Sequence, residues 1–236
     1  MRILILLFSF LLALVGVPHA QAQAKGAKRP AAAAPARDWT RSVVFQPGGG
    51  VLVGNPAAKV VLTEWLSYTC PHCGAFARES KVELHALVRA GKVRVDYRPM
   101  PRDALDLTAV LLARCGGPTR FVALHDAIFA GQTAMLDRAT AFAATPAAQA
   151  PTATVAERLR QLADATPLRA TGRTLGVPDA AYTRCLNDEA GHDRAIAVAE
   201  AAQAANIAAT PTFEVNGRRV EAHGWAELKP LLVPAA

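Results

Sequence analysis

Cys70 and Cys73 stand two residues apart in the stretch WLSYTCPHCGAFA, residues 65–77. Two sulfurs at this spacing support four chemistries. A zinc site needs two more ligands at comparable spacing. The other cysteines, Cys115 and Cys185, lie far off with no cysteine or histidine at metal spacing, so no metal site is expected. Covalent haem attachment needs a histidine directly after the second cysteine, and here that residue is Gly74. A purely structural disulfide across two residues is strained. A redox-active dithiol remains. Its reactive species is a thiolate, so the surroundings must favour a negative sulfur.

The flanking sequence supplies such surroundings. KVVLTEWLSY, residues 59–68, is a β-rich run with both faces largely apolar, as in a central strand. From Cys70 the pattern turns helical, with Phe76, Val82, Leu84, Leu87 and Val88 at mixed three- and four-residue spacing and a stop at Gly91. Cys70 then falls at the helix N-cap or first turn, where free N–H groups and the helix dipole stabilise an anion. Pro71 suits a first turn, where a missing N–H costs nothing. His72 adds a positive charge and a donor beside the sulfur. Cys73 lies further along the helix, more buried, placed to attack a mixed disulfide. Glu64 shares a strand face with Leu62 and Leu66, where a carboxylate is costly unless it has a task or a partner.

The rest of the chain frames this unit. GGGVLVGNP, residues 48–56, and KVRVDYRPM, residues 92–100, read as strands, so strand, helix and strand form a βαβ unit with a right-handed crossover. Residues 101–187 lose the strand pattern and read as a helical insertion, broken at ATPAAQAPTAT, residues 144–154. One more helix, a hairpin through Asn216-Gly217 and a final helix at WAELKPLLV complete the order β-β-α-β, helical insert, α-β-β-α. At the N-terminus Arg2, the apolar run 3–17 and the small residues Ala20, Ala22 and Ala24 read as a signal peptide over 1–24, followed by an Ala/Pro-rich linker over 25–38. The folded parts are then 39–100, the insertion 101–187, and 188–236. Export implies an oxidising compartment, the periplasm. The net charge of +7 is dispersed and aromatics are only 6%, so a nucleic-acid partner is excluded.

VLTEWLSYTCPHCGAFA resembles the active-site segment of the DsbA-type thiol:disulfide oxidoreductases of the thioredoxin-fold superfamily, and ATPTFEVNG is similar to their cis-proline segment. The resemblance runs from about Val51 to Leu232. It implies an α/β thioredoxin fold with an inserted α-helical domain. It implies proton shuttling by Glu64, a cis Thr210–Pro211 bond with Pro211 against the active-site sulfurs, and pairing of the Thr210 backbone with an extended substrate. It further implies a monomer without a dissociable cofactor. This monomer oxidises reduced exported client proteins and is reoxidised by a DsbB-type, quinone-linked membrane partner. Four cysteines allow three pairings; a Cys70–Cys73 redox pair leaves Cys115–Cys185 as a structural disulfide. His85, His125, His192 and His223 have no motif and read as surface or packing residues, and Trp65, Tyr68 and Phe76 as core or groove wall. Two rival readings stay open: a disulfide isomerase or reductase using the same dithiol, and a non-catalytic substrate-binding chaperone.

Overall fold

The computed structural model describes residues 37–151 and 154–233. The signal peptide and most of the linker fall outside these residues. Arg37 and Asp38, the end of the linker segment, are within them: Arg37 lies over the Trp39 ring, and Asp38 accepts a hydrogen bond from the Thr40 N–H to cap a short 3-10 turn at Trp39–Arg41.

Among the described residues, six strands and ten helices follow in chain order. They are β1 (Val43–Phe45), β2 (Val51–Val53), β3 (Val60–Leu66), α1 (Pro71–Arg89) and β4 (Val93–Pro99). Next come the insert helices α2 (Ala104–Cys115), α3 (Pro118–Ala130), α4 (Gln132–Ala143), α5 (Pro146–Gln149), α6 (Val155–Ala165), α7 (Leu168–Thr174) and α8 (Asp179–Leu186). The chain returns through α9 (Glu189–Ala204), β5 (Thr212–Val215), β6 (Arg218–Val220) and α10 (Trp225–Leu232). The sheet order is β1-β2-β4-β3-β5-β6, with β3 parallel to β4 and every other pair antiparallel. This is a thioredoxin fold with a helical insert between β4 and α9. The expected element order omits β1: VVF is too short to show a period, and its pairing with β2 appears only in three dimensions.

β3 is the strand that matters. Its residues alternate between two cores. Leu62 and Leu66 join the core that includes Phe76, Leu84 and Val88 of α1, whereas Trp65 joins Val198, Ala202 and Ile207 under α9. Burial on both faces explains why this strand reads as a nearly continuous apolar run. The β5–β6 turn at Asn216-Gly217 has positive φ at both residues, 52° and 75°, as a two-residue hairpin turn requires. Asn216 also exchanges hydrogen bonds with the Val61 backbone, which locks the hairpin against the start of β3.

The insert shares the main core. Ala109 and Leu112 of α2, Phe121 and Leu124 of α3, Met135 of α4 and Leu159 of α6 are all fully buried within it. Helix starts are fixed by side-chain caps: Asp103 accepts from the Asp106 N–H, and Thr154 accepts from the Glu157 N–H. Cys115 and Cys185 are joined by a disulfide, with Cα atoms 5.8 Å apart, tying the last residue of α2 to α8. Among the described residues no helix is long and apolar enough to cross a membrane.

Candidate active site

The dithiol sits where β3 ends and α1 begins. Cys70 is the N-cap of α1, extended at φ −84° and ψ 118°, with Pro71 as the first helical residue. Both cysteines are free thiols; Cys73 is fully buried and Cys70 is 3% exposed. The Cys70 thiol donates to the Thr210 carbonyl at 3.1 Å, so the loop before β5 lies directly against the sulfur. The Thr210–Pro211 peptide bond is cis.

The two sulfurs are driven apart in acidity. Cys70 is lowered from an ordinary 9.0 to about 4. The largest cause is the hydrogen bond from the Cys73 thiol; burial opposes it, and the Thr210 side chain and the N–H groups of Cys73 and His72 add to it. Cys73 is pushed far up, first by burial, then by its bond to Cys70 and by the charge of Glu64. A helix N-terminus stabilises the anion that reaches it, and here that anion is on Cys70.

Pro71 and His72 are exposed at the surface of the first turn. The contribution of His72 to Cys70 is its backbone N–H. Glu64 is 2% exposed on the α1 side of β3. It lines a small pocket with Phe76, Ser80 and Leu84 of α1, Tyr97 of β4 and His125 of α3. Its Oε1 has no hydrogen-bond partner among the described residues, and burial alone pushes its carboxyl up to about 8. The structure therefore brings together Cys70, Pro71, His72, Cys73 and Thr210, with Pro211 following Thr210 across the cis bond and Glu64 near enough for its charge to act on Cys73. Cys115 and Cys185 form their bridge within the insert.

Side chains with no motif also border the site. The turn 67–69 before Cys70 rests on Asp106, which accepts from the Ser67 hydroxyl at 2.5 Å and the Tyr68 N–H at 2.8 Å. Arg102 braces the same turn, donating from Nε to Ser67 and from Nη2 to Thr69. Asp106 is fully buried, and burial raises it to about 6 against the hydrogen bonds that oppose the shift. Gln132 reaches the turn from the first residue of α4. A Cβ on Gly74 would collide with the Gln132 side chain, so glycine after the second cysteine leaves room for that amide.

The thioredoxin family model matches residues 46–233. The chain belongs to the thioredoxin family. The crystal structure of a protein-disulfide isomerase from Novosphingobium aromaticivorans is 33% identical, superposes with a TM-score of 0.68, and covers 77% of this chain and 94% of its own. The alpha-DsbA1 structure from Wolbachia pipientis shares the fold at 22% identity and a TM-score of 0.55, over 76% of this chain and 85% of that one. The insert between β4 and α9 gives the chain the fold seen in the alpha-DsbA1 structure. A Rickettsia bellii relative with the provisional name protein-disulfide oxidoreductase is 28% identical over 72% of this chain. The chain spans 58% of that relative's length.

Proposed function

We propose that this protein is an exported thiol:disulfide oxidoreductase that donates the Cys70–Cys73 disulfide to reduced secreted proteins in the periplasm. The observation that carries the proposal is the placement of Cys70: it caps α1, its sulfur lies against Thr210, and Cys73 is sealed beside it. In the oxidised protein a client thiolate attacks the Cys70 sulfur. The Cys70–Cys73 bond breaks, a mixed disulfide forms, and Cys73 leaves with the electron pair. Glu64, raised to about 8, carries a proton near neutral pH and supplies it to Cys73. A second client thiolate then attacks the client sulfur of the mixed disulfide and releases Cys70 as its thiolate. The client has lost two electrons, and Cys70 and Cys73 hold them. A DsbB-type, quinone-linked membrane partner returns the pair to the disulfide. The protein acts as a monomer.

The name of the Novosphingobium relative favours a second reading, disulfide isomerisation, which starts from the reduced dithiol. The two readings differ in the resting state of the pair. Acid quenching of cells followed by thiol trapping is expected to find Cys70 and Cys73 mostly oxidised. A mostly reduced pair would overturn the oxidase direction and favour the isomerase. Periplasmic fractionation with antibody detection tests the export step; retention in the cytoplasm would defeat it.

A further inference from the structure

Tyr68 lies two residues before Cys70, in a turn that belongs to no strand or helix, and it is fully buried. Each of its polar groups is held by a different helix of the insert. Its N–H donates to Asp106 Oδ1 of α2 at 2.8 Å. Its carbonyl accepts from Gln132 Nε2 of α4 at 2.9 Å. Its hydroxyl is paired with His125 Nδ1 of α3 at 2.9 Å. The Gln132 amide reaches on to the carbonyl of Cys70 itself, at 2.8 Å.

The partners are themselves fixed. Asp106, His125 and Gln132 are 0%, 5% and 3% exposed. Asp106 also holds the Ser67 hydroxyl and the Arg102 N–H. The His125 ring is walled by Tyr97, Phe121 and Phe129, with centroids 4.4, 5.7 and 5.1 Å away. Buried polar groups with complete partners specify one geometry. By contrast, the turn 67–69 lies beyond the last ladder position of β3 at Leu66, so sheet pairing does not set where Cys70 lands.

We propose that Asp106, His125 and Gln132 are positioning residues that act through Tyr68 to hold the Cys70 sulfur on the N–H groups of α1. The helical insert thereby sets the reactivity of a cysteine whose sulfur none of these four hydrogen bonds reaches. This rests on the reading above only in taking Cys70 as the reactive thiol. A hydrogen bond to a thiolate weakens steeply as its angle closes. A small rotation of the 67–70 turn therefore costs thiolate stability without disturbing the core. The reduced form loses stabilisation, and the disulfide becomes the weaker oxidant.

The test compares purified wild type with Gln132→Met and Tyr68→Phe. Gln132→Met keeps volume and removes both donors; Tyr68→Phe removes one oxygen and keeps the ring. Three readouts are taken on each: ultraviolet thiolate titration, equilibration with glutathione, and the urea midpoint. Gln132→Met is expected to raise the Cys70 acid midpoint and shift the glutathione equilibrium at least threefold toward the disulfide. At about 30 mV per tenfold for a two-electron couple, that is about 14 mV more negative. Tyr68→Phe is expected to move both readouts in the same direction, about twofold. A merely structural role would lower the urea midpoint and leave the thiolate and glutathione values of the folded variant unchanged, and that result would overturn the proposal. If Gln132→Met does not fold, Tyr68→Phe alone decides. A wild-type Cys70 titrating at its ordinary value would defeat the oxidase reading, while the difference between wild type and variants would still score the positioning role.

Discussion

Glu64→Gln isolates the buried carboxyl on β3. The substitution keeps shape and removes one titration. In the folded protein Glu64 is raised from 4.5 to about 8, and burial is the only cause. Burial does not depend on the state of the sulfurs, so the oxidised protein, in which neither Cys70 nor Cys73 titrates, is the clean background. A carboxyl whose folded value is raised contributes stability fully present below pH 4.5 and lost as the pH rises through about 8. Between these limits Glu64 binds more protons in the native state than in the unfolded chain, so its contribution to wild-type stability falls with pH. The full separation corresponds to about 5 kcal/mol at about 1.4 kcal/mol per unit, and the part lost between about pH 5 and 8 is roughly 3–4 kcal/mol. Glu64→Gln carries none of this term. Urea denaturation of the two oxidised proteins at several pH values should show the variant gaining on the wild type by about that amount across the window. Parallel stability curves would refute the reasoning and place Glu64 in contact with water or a cation.

Other outcomes follow from the same site. Thr210→Val keeps volume and deletes one cause of the low Cys70 value, the hydrogen bond of the Thr210 side chain; thiolate titration should show a raised Cys70 midpoint while the urea midpoint holds. His72→Ser keeps the backbone N–H that reaches Cys70 and should raise that midpoint less than Thr210→Val does; the opposite order would return the imidazole to the centre of the mechanism. Because the folded value of Cys70 is depressed to about 4, its stabilisation of the reduced protein is present above pH 9 and lost as the pH falls toward 4. The sulfur is covered but lies shallowly, so the gap between reduced and oxidised stability should shrink over that range by a few kcal/mol rather than the full value; a pH-independent gap would contradict the thiolate. Replacing Cys115 and Cys185 by serine opens a bridge between residues 70 apart and should cost about 4 kcal/mol in urea unfolding while leaving glutathione equilibration of Cys70–Cys73 unchanged.

The legible part of this site is the part that is local in sequence. A strand, a helix and the two cysteines at their junction lie within thirty residues, and period and spacing reveal them. Glu64 was visible because a carboxylate on a face with Leu62 and Leu66 breaks the pattern around it. Asp106, His125 and Gln132 carry no such sign. Each reaches the 67–70 turn across 38 to 64 residues of chain. Asp106 sits in the first turn of a helix capped by Asp103, where an acidic residue is ordinary. Gln132 follows a glycine at a helix start, where a polar residue in an otherwise apolar run, IFAGQTAML, is ordinary. Which helices of an insert pack over a given turn is decided by the tertiary fold, so long-range polar partners stay hidden while the apolar periods that build each helix do not. The strand β1 stays hidden for a related reason, since three residues are too few to show alternation.

The split between the two sulfurs imposes a further demand on Glu64. In the proposed reaction, client attack at Cys70 expels Cys73, whose acidity is pushed far from the anionic form by burial. A thiolate that is costly to form is a poor leaving group. Release of the oxidised client expels Cys70, lowered to about 4, which is a good one. The two half-steps therefore need opposite help: the first needs a proton delivered to Cys73 as the bond breaks, and the second needs none. A carboxyl raised to about 8 is protonated at neutral pH and can supply it. Glutamine has no proton to give. Stopped-flow mixing of oxidised Glu64→Gln with a two-cysteine peptide, followed by acid-trapping of intermediates, should show mixed-disulfide formation slowed by about 10²-fold, the low end of general-acid contributions. Resolution of the mixed disulfide should proceed at the wild-type rate. Equal slowing of both steps would mean that Glu64 shapes the site rather than serving Cys73, and unchanged rates would mean that water reaches the buried sulfur unaided.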